Sequence, residues 1–105
     1  MDGSLRSPSG GIQVRTTERG LPLALKLDER ELSRPPMELA NEILALCQLS
    51  GRRMQVARRN DLMALGVSAA VIRGLNLSTA EELERAESEL RGDVDADTHT
   101  WLRPT

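Results

Sequence analysis

The residue types that do chemistry are scarce in this chain and poorly spaced for it. The one histidine, His99, stands near the C-terminal end, and the one cysteine, Cys47, sits among apolar residues. A Cys–His pair needs the sulfur in a partly open, electropositive setting. A cysteine on the apolar stripe of a helix is instead a small core residue. Glu81, Glu82 and Glu84 are close enough for paired-carboxylate chemistry. They fall, however, in the first turn of an expected helix, where acids favour the backbone dipole and stay solvated. Asp93, Asp95 and Asp97 have the opening spacing of a calcium loop, but Thr98 and Pro104 stand where that loop requires glycine and glutamate. There is no nucleophile elbow, phosphate-cradling glycine loop or zinc-ligand spacing. The expectation is a protein that is not an enzyme, with no metal and no cofactor.

What remains is charge. Arg52, Arg53, Arg58 and Arg59 lie in a stretch, residues 32–65, with five arginines against Glu38, Glu42 and Asp61, a local balance of +2. Residues 66–105 carry four arginines against eight carboxylates, a balance of −4. Arg52 and Arg59 are seven residues apart and share a helix face, with Gln55 between them. Doubled in a dimer, the four arginines could meet several phosphates of duplex DNA, with the salt dependence such contacts bring. The competing reading is a solvated or partner-facing surface, neutralised by the acids of residues 81–97.

Composition narrows the classes further. The chain has 105 residues and a formal net charge of −2, with no Phe, no Tyr and the single Trp101. Single-stranded nucleic-acid binders stack bases on aromatic platforms, and none is available here. No apolar run approaches the roughly 18 residues of a membrane span, and Met1-Asp2-Gly3-Ser4 does not open a secretory signal. One cysteine allows no internal disulfide, so a cytoplasmic protein is expected.

The elements that would position these residues follow from periodicity. Residues 1–11 are rich in Gly, Ser and Pro and read as a flexible N-terminus, in which part could add an edge strand. Ile12, Val14 and Thr16 alternate with polar residues, and Glu18-Arg19-Gly20 reads as a turn. Leu21, Leu23, Leu25 and Leu27 then form a second apolar stripe, which needs a cover because a bare hairpin is marginal in water. Pro35-Pro36 opens a long helix, 36–65, in which Leu39, Ile43, Leu46, Cys47 and Met54 recur at three- and four-residue spacings. Ser50-Gly51 is a possible kink within it. Ser68 caps a short helix over 69–73, closed by Gly74, and Leu75 and Leu77 read as packed linker residues. Ser78-Thr79-Ala80-Glu81 opens a C-terminal helix as a capping box. Residues 92–105 read as an acidic tail, in which Trp101 and Leu102 could dock. The expected architecture is α+β, a single domain over 12–91. A small antiparallel sheet of two or three strands is followed by a long helix and a C-terminal helix over 79–91.

Residues 10–55, and above all Met37-Glu38-Leu39-Ala40-Asn41-Glu42-Ile43, resemble the sheet-and-helix half of the YbaB/EbfC family. Leu75-Asn76-Leu77-Ser78-Thr79-Ala80-Glu81-Glu82 adds a resemblance to the YbaB-like Esp proteins associated with mycobacterial type VII secretion. The chain departs from both by lacking, before residue 12, the family's long N-terminal helix or a long acidic leader. The resemblance implies a YbaB-like homodimer acting as a non-catalytic accessory or chaperone-type protein that holds a secretion-system client; the lack of a long apolar run leads to the expectation of no membrane partner. Leu23, Leu25, Leu27, Leu39, Ile43, Leu46 and Met54 are the expected dimer or client interface. The alternative is a nucleoid-associated protein that binds double-stranded DNA through Arg52, Arg53, Arg58 and Arg59.

Overall fold

The computed structural model describes residues 2–90. Three strands, β1 (Asp2–Arg6), β2 (Ile12–Thr17) and β3 (Pro22–Leu27), form an antiparallel meander in the order β1-β2-β3. A 3₁₀ turn (Glu29–Ser33) leads into the long helix α1 (Pro36–Ala64), then the short α2 (Ala69–Gly74) and a helix over 80–90, α3. The fold is α+β, with a three-stranded sheet followed by helices. His99, Trp101, Leu102 and the acidic tail 92–105 lie outside the described residues, as does the aspartate series 93–97.

The first strand corrects the expectation of a flexible N-terminus. Leu5 stands opposite Val14, which puts it on the inner face of the sheet. The serine-rich link that reads as loose is turn chemistry. Ile12 N–H donates to Ser7 Oγ at 3.1 Å, Ser7 N–H donates to the Ile12 carbonyl at 2.8 Å, and Gly10 takes a φ of 79°. The second turn follows the sequence. Gly20, at φ 83°, donates its N–H to the Thr17 carbonyl. The β2–β3 register then shifts between Arg15 and Thr16, so that Thr16 faces an extra residue of β3, a bulge at Pro22-Leu23.

Helix α1 runs unbroken through Ser50-Gly51, which is a point of close approach. A Cβ at Gly51 would stand 2.8 Å from the Gly20 nitrogen and 2.9 Å from the Glu18 carbonyl, so only glycine lets α1 lie this close to the β2–β3 turn. Gly3 does the same on β1, opposite the Met54 side chain. The helix therefore lies along β1 and β2. Its C-terminal end is a glycine stop of the Schellman type. Gly66, at φ 84°, donates to the Met63 carbonyl, and Val67 donates to that of Leu62.

The core is aliphatic and small. Ile12, Val14, Leu46 and Cys47 are buried together, with Leu5, Leu27, Leu39, Ile43 and Leu90 packed around them. Thr16 is also enclosed, and its hydroxyl donates to Ser50 Oγ at 2.7 Å, so the buried polar groups satisfy each other. Two boundaries and one burial in the C-terminal half differ from the sequence reading. The residue capping α3 is Thr79, whose Oγ1 accepts from Glu82 N–H at 3.2 Å, one position later than expected. Gly74 stays within α2, and the left-handed residue that ends this turn is Asn76, at φ 53°. Leu77 is buried as a linker residue should be, whereas Leu75 is exposed.

Candidate functional site

The arginine series stands on the second half of α1, and α3 returns antiparallel beside it. Arg53 Nε lies 3.1 Å from Glu87, and Arg52 lies 3.7 Å from Glu82 and 3.4 Å from the Ser78 hydroxyl. Arg58 turns the other way, to Glu18 in the β2–β3 turn, at 3.0 Å. Three of the four arginines are thus paired among the described residues. Each such pair is exposed and worth at most about 1 kcal/mol.

Between the two ends of this series sits Gln55, whose structural role the sequence does not show. The Gln55 side chain donates from Nε2 to the Glu18 carbonyl at 2.9 Å. Its Oε1 accepts from both the N–H and the hydroxyl of Ser78, at 2.9 and 3.0 Å. One amide therefore clasps the β2–β3 turn to the linker that leads into α3. It also explains the shifted cap: Ser78 is already engaged, which leaves Thr79 to receive the first N–H groups of α3. No sequence signal marks this role, because a glutamine amide can pair with any backbone group.

A second polar cluster ties the start of α1 to the β1–β2 turn. Arg34 reaches Glu31 at 2.8 Å, Glu42 at 2.6 Å and Glu38 at 3.5 Å. Glu31 also accepts from the Ser9 hydroxyl. The two nearest carboxylates, Glu31 first, raise the pKa of the guanidinium above its ordinary value. In return the Arg34 hydrogen bond holds the Glu31 carboxyl below the usual range. Cys47 is the reverse case, since burial alone pushes its thiol up and keeps it protonated at neutral pH.

The apolar residues expected at an interface divide into two groups. Leu46 is 0% exposed and leaves no surface for a partner; it belongs to the core instead, because α1 turns that position straight onto the sheet. Leu27, Leu39, Ile43 and Met54 are half-buried, the first three against the core and Met54 over Gly3. Leu23 and Leu25 are different, at 50% and 47% exposed. Leu25 stands directly opposite buried Val14, so it faces the same side of the sheet, yet among the described residues it stays half open. The flank of α1 on that side continues the surface. Ala40, Leu44, Cys47 and Gly51 form one helical stripe, and the last two stand at the β2–β3 turn. Leu44, farther along the stripe, is 60% exposed. The inner face of β3 and this flank of α1 together make an open apolar shelf.

Among the described residues there is no group of three or more His, Cys, Asp and Glu that could hold a metal ion, and no helix long and apolar enough to cross a membrane. Compared with protein-family models, with curated proteins and with solved structures, the chain finds no match.

Proposed function

We propose that this is a non-catalytic interaction protein that holds another polypeptide, a second copy or a client, on the shelf formed by β3 and α1. The carrying observation is the pair Val14 and Leu25. These are neighbours on one sheet face, yet one is fully buried and the other half open. Contiguous exposed apolar surface on a small domain marks a protein contact. The resemblance to YbaB-like proteins agrees in kind, since it implies a homodimer acting as an accessory of type VII secretion.

The rival role in DNA binding loses ground because Arg52, Arg53 and Arg58 are engaged with Glu82, Glu87 and Glu18. Two variants separate the readings. A Leu23→Ser/Leu25→Ser chain should keep its far-UV circular dichroism and lose association with polypeptide. A chain with Arg52, Arg53, Arg58 and Arg59 replaced by Ala should keep that association. Duplex binding at low salt that disappears in the arginine variant, with no polypeptide bound by the native chain, would sink the proposal.

A further inference from the structure

A polar cleft of about 450 Å³ opens where the β2–β3 turn, α1 and the linker before α3 meet. Helix α1 contributes Gln48, Arg52 and Gln55, which share one face at spacings of four and three residues. The turn contributes Arg19, and the linker with the start of α3 contributes Asn76, Ser78 and Glu82. The cleft is built in advance of any ligand. Gly51 lets the turn lie against α1, and the Gln55 amide ties that turn to Ser78.

Its donors are idle. Arg19 is exposed and makes no hydrogen bond or ion pair with any described residue, and the side chains of Gln48 and Asn76 make none either. Arg52 is engaged only through Nη1, with the Ser78 hydroxyl at 3.4 Å and with Glu82 at 3.7 Å. Its Nε and Nη2 have no partner among the described residues. The acid next to Arg19 does not cancel it, because the Glu18 carboxylate is held by Arg58 at 3.0 Å. Two guanidinium groups and two primary amides thus line one cleft, with Glu82 as its single carboxylate.

The geometry points to a site for a small phosphate monoester that carries a hydroxyl. The phosphate oxygens accept from Arg19, Arg52 and the two amides, the planar guanidinium fork being matched to such an anion. Glu82 accepts from the hydroxyl. A cleft of this volume takes a small molecule. Every lining side chain is polar apart from Gly51, and no ring is present, so a nucleobase would have nothing to stack on. The site is independent of the apolar shelf and stands or falls without it.

The test is calorimetric titration of the full chain at fixed ionic strength, with glycerol 3-phosphate and inorganic phosphate as probes. Glycerol 3-phosphate should bind saturably and raise the unfolding midpoint. Inorganic phosphate should bind about fivefold more weakly, since it lacks the hydroxyl that Glu82 receives. Glu82→Ala should erase that preference. Arg19→Ala should weaken both probes about tenfold with unchanged circular dichroism, and Gln48→Ala should weaken them about threefold. Arg53→Ala, whose guanidinium is paired with Glu87 outside the cleft, should keep the native affinity. Absence of saturable binding by glycerol 3-phosphate overturns the site. So does a loss in Arg53→Ala equal to that in Arg19→Ala, which would mean attraction by overall charge. Equal affinity of the native chain for the two probes overturns the ester assignment.

Discussion

β2 and β3 lie side by side with the same alternating pattern, and they meet opposite fates. β3 is the more apolar of the two by sequence, yet Ile12, Val14 and even Thr16 of β2 are enclosed, while Leu23 and Leu25 remain half open. The difference does not come from the strands. It comes from where glycine lets α1 lie. Gly3 on β1 makes room for Met54, and Gly51 on α1 makes room for the β2–β3 turn, so the helix settles over β1 and β2. α3 then seals the β1 side, where Leu5, Leu49 and Leu90 line a narrow crevice. Nothing among the described residues seals the β3 side. A strand's hydrophobicity states that it wants a cover, and backbone clearances elsewhere decide whether its own chain provides one.

The contrast can be broken first at its covered end. Leu46→Ala empties a fully enclosed site and should cost about 3 kcal/mol in a denaturant titration. Leu25→Ala, measured on dilute protein, should cost about 1 kcal/mol or less. Equal losses would mean that β3 is covered after all. Gly51→Ala tests the clearance itself. Helix propensity favours alanine over glycine by about 1 kcal/mol. The added Cβ would stand 2.8 Å from the Gly20 nitrogen, and the resulting overpacking should reverse the sign to a net loss of about 1–2 kcal/mol. A stabilised variant would show that α1 does not need this approach.

Smaller effects sharpen the picture at the edges of the helix. Gln55→Ala leaves the Glu18 carbonyl and Ser78 without their shared partner and should cost about 1–2 kcal/mol. Amide exchange should rise in the linker before α3 and stay unchanged in β1. The Arg34 cluster gives a pH signature. The Glu31 carboxyl is held below its ordinary value, so its contribution is present at neutral pH and is lost as the pH falls through that depressed value. Arg34→Ala should flatten this acid limb in a thermal-unfolding series taken from neutral to acidic pH. Arg53→Ala, which removes only an exposed ion pair, should shift stability by about 0.5 kcal/mol or less.

How far these features can be read without coordinates depends on whether the signal is local. The β2 and β3 alternation, the Gly20 turn, the Ser68 cap and the Gly66 stop are each written within a few residues. β1 was harder to see, because Gly3 and the serine-rich link look the same whether they are loose or are making a tight turn. The Thr79 cap could not be chosen over Ser78 until Gln55, distant in sequence, was seen to occupy Ser78. The unlike charges of 52–53 and 82–87 stand out in the sequence, but their pairing needs the antiparallel return of α3. The hardest feature to read was the open shelf. A period of two reports which face a residue takes and is silent about what lies above it.

Cys47 turns this architecture into a clock. Its thiol is enclosed between α1 and β2 and kept protonated by that enclosure, so a labelling reagent can reach it only while the helix stands away from the sheet. With no second cysteine in the chain, each labelled molecule records one such opening. With reagent in excess, the labelling rate becomes the rate at which the helix lifts off.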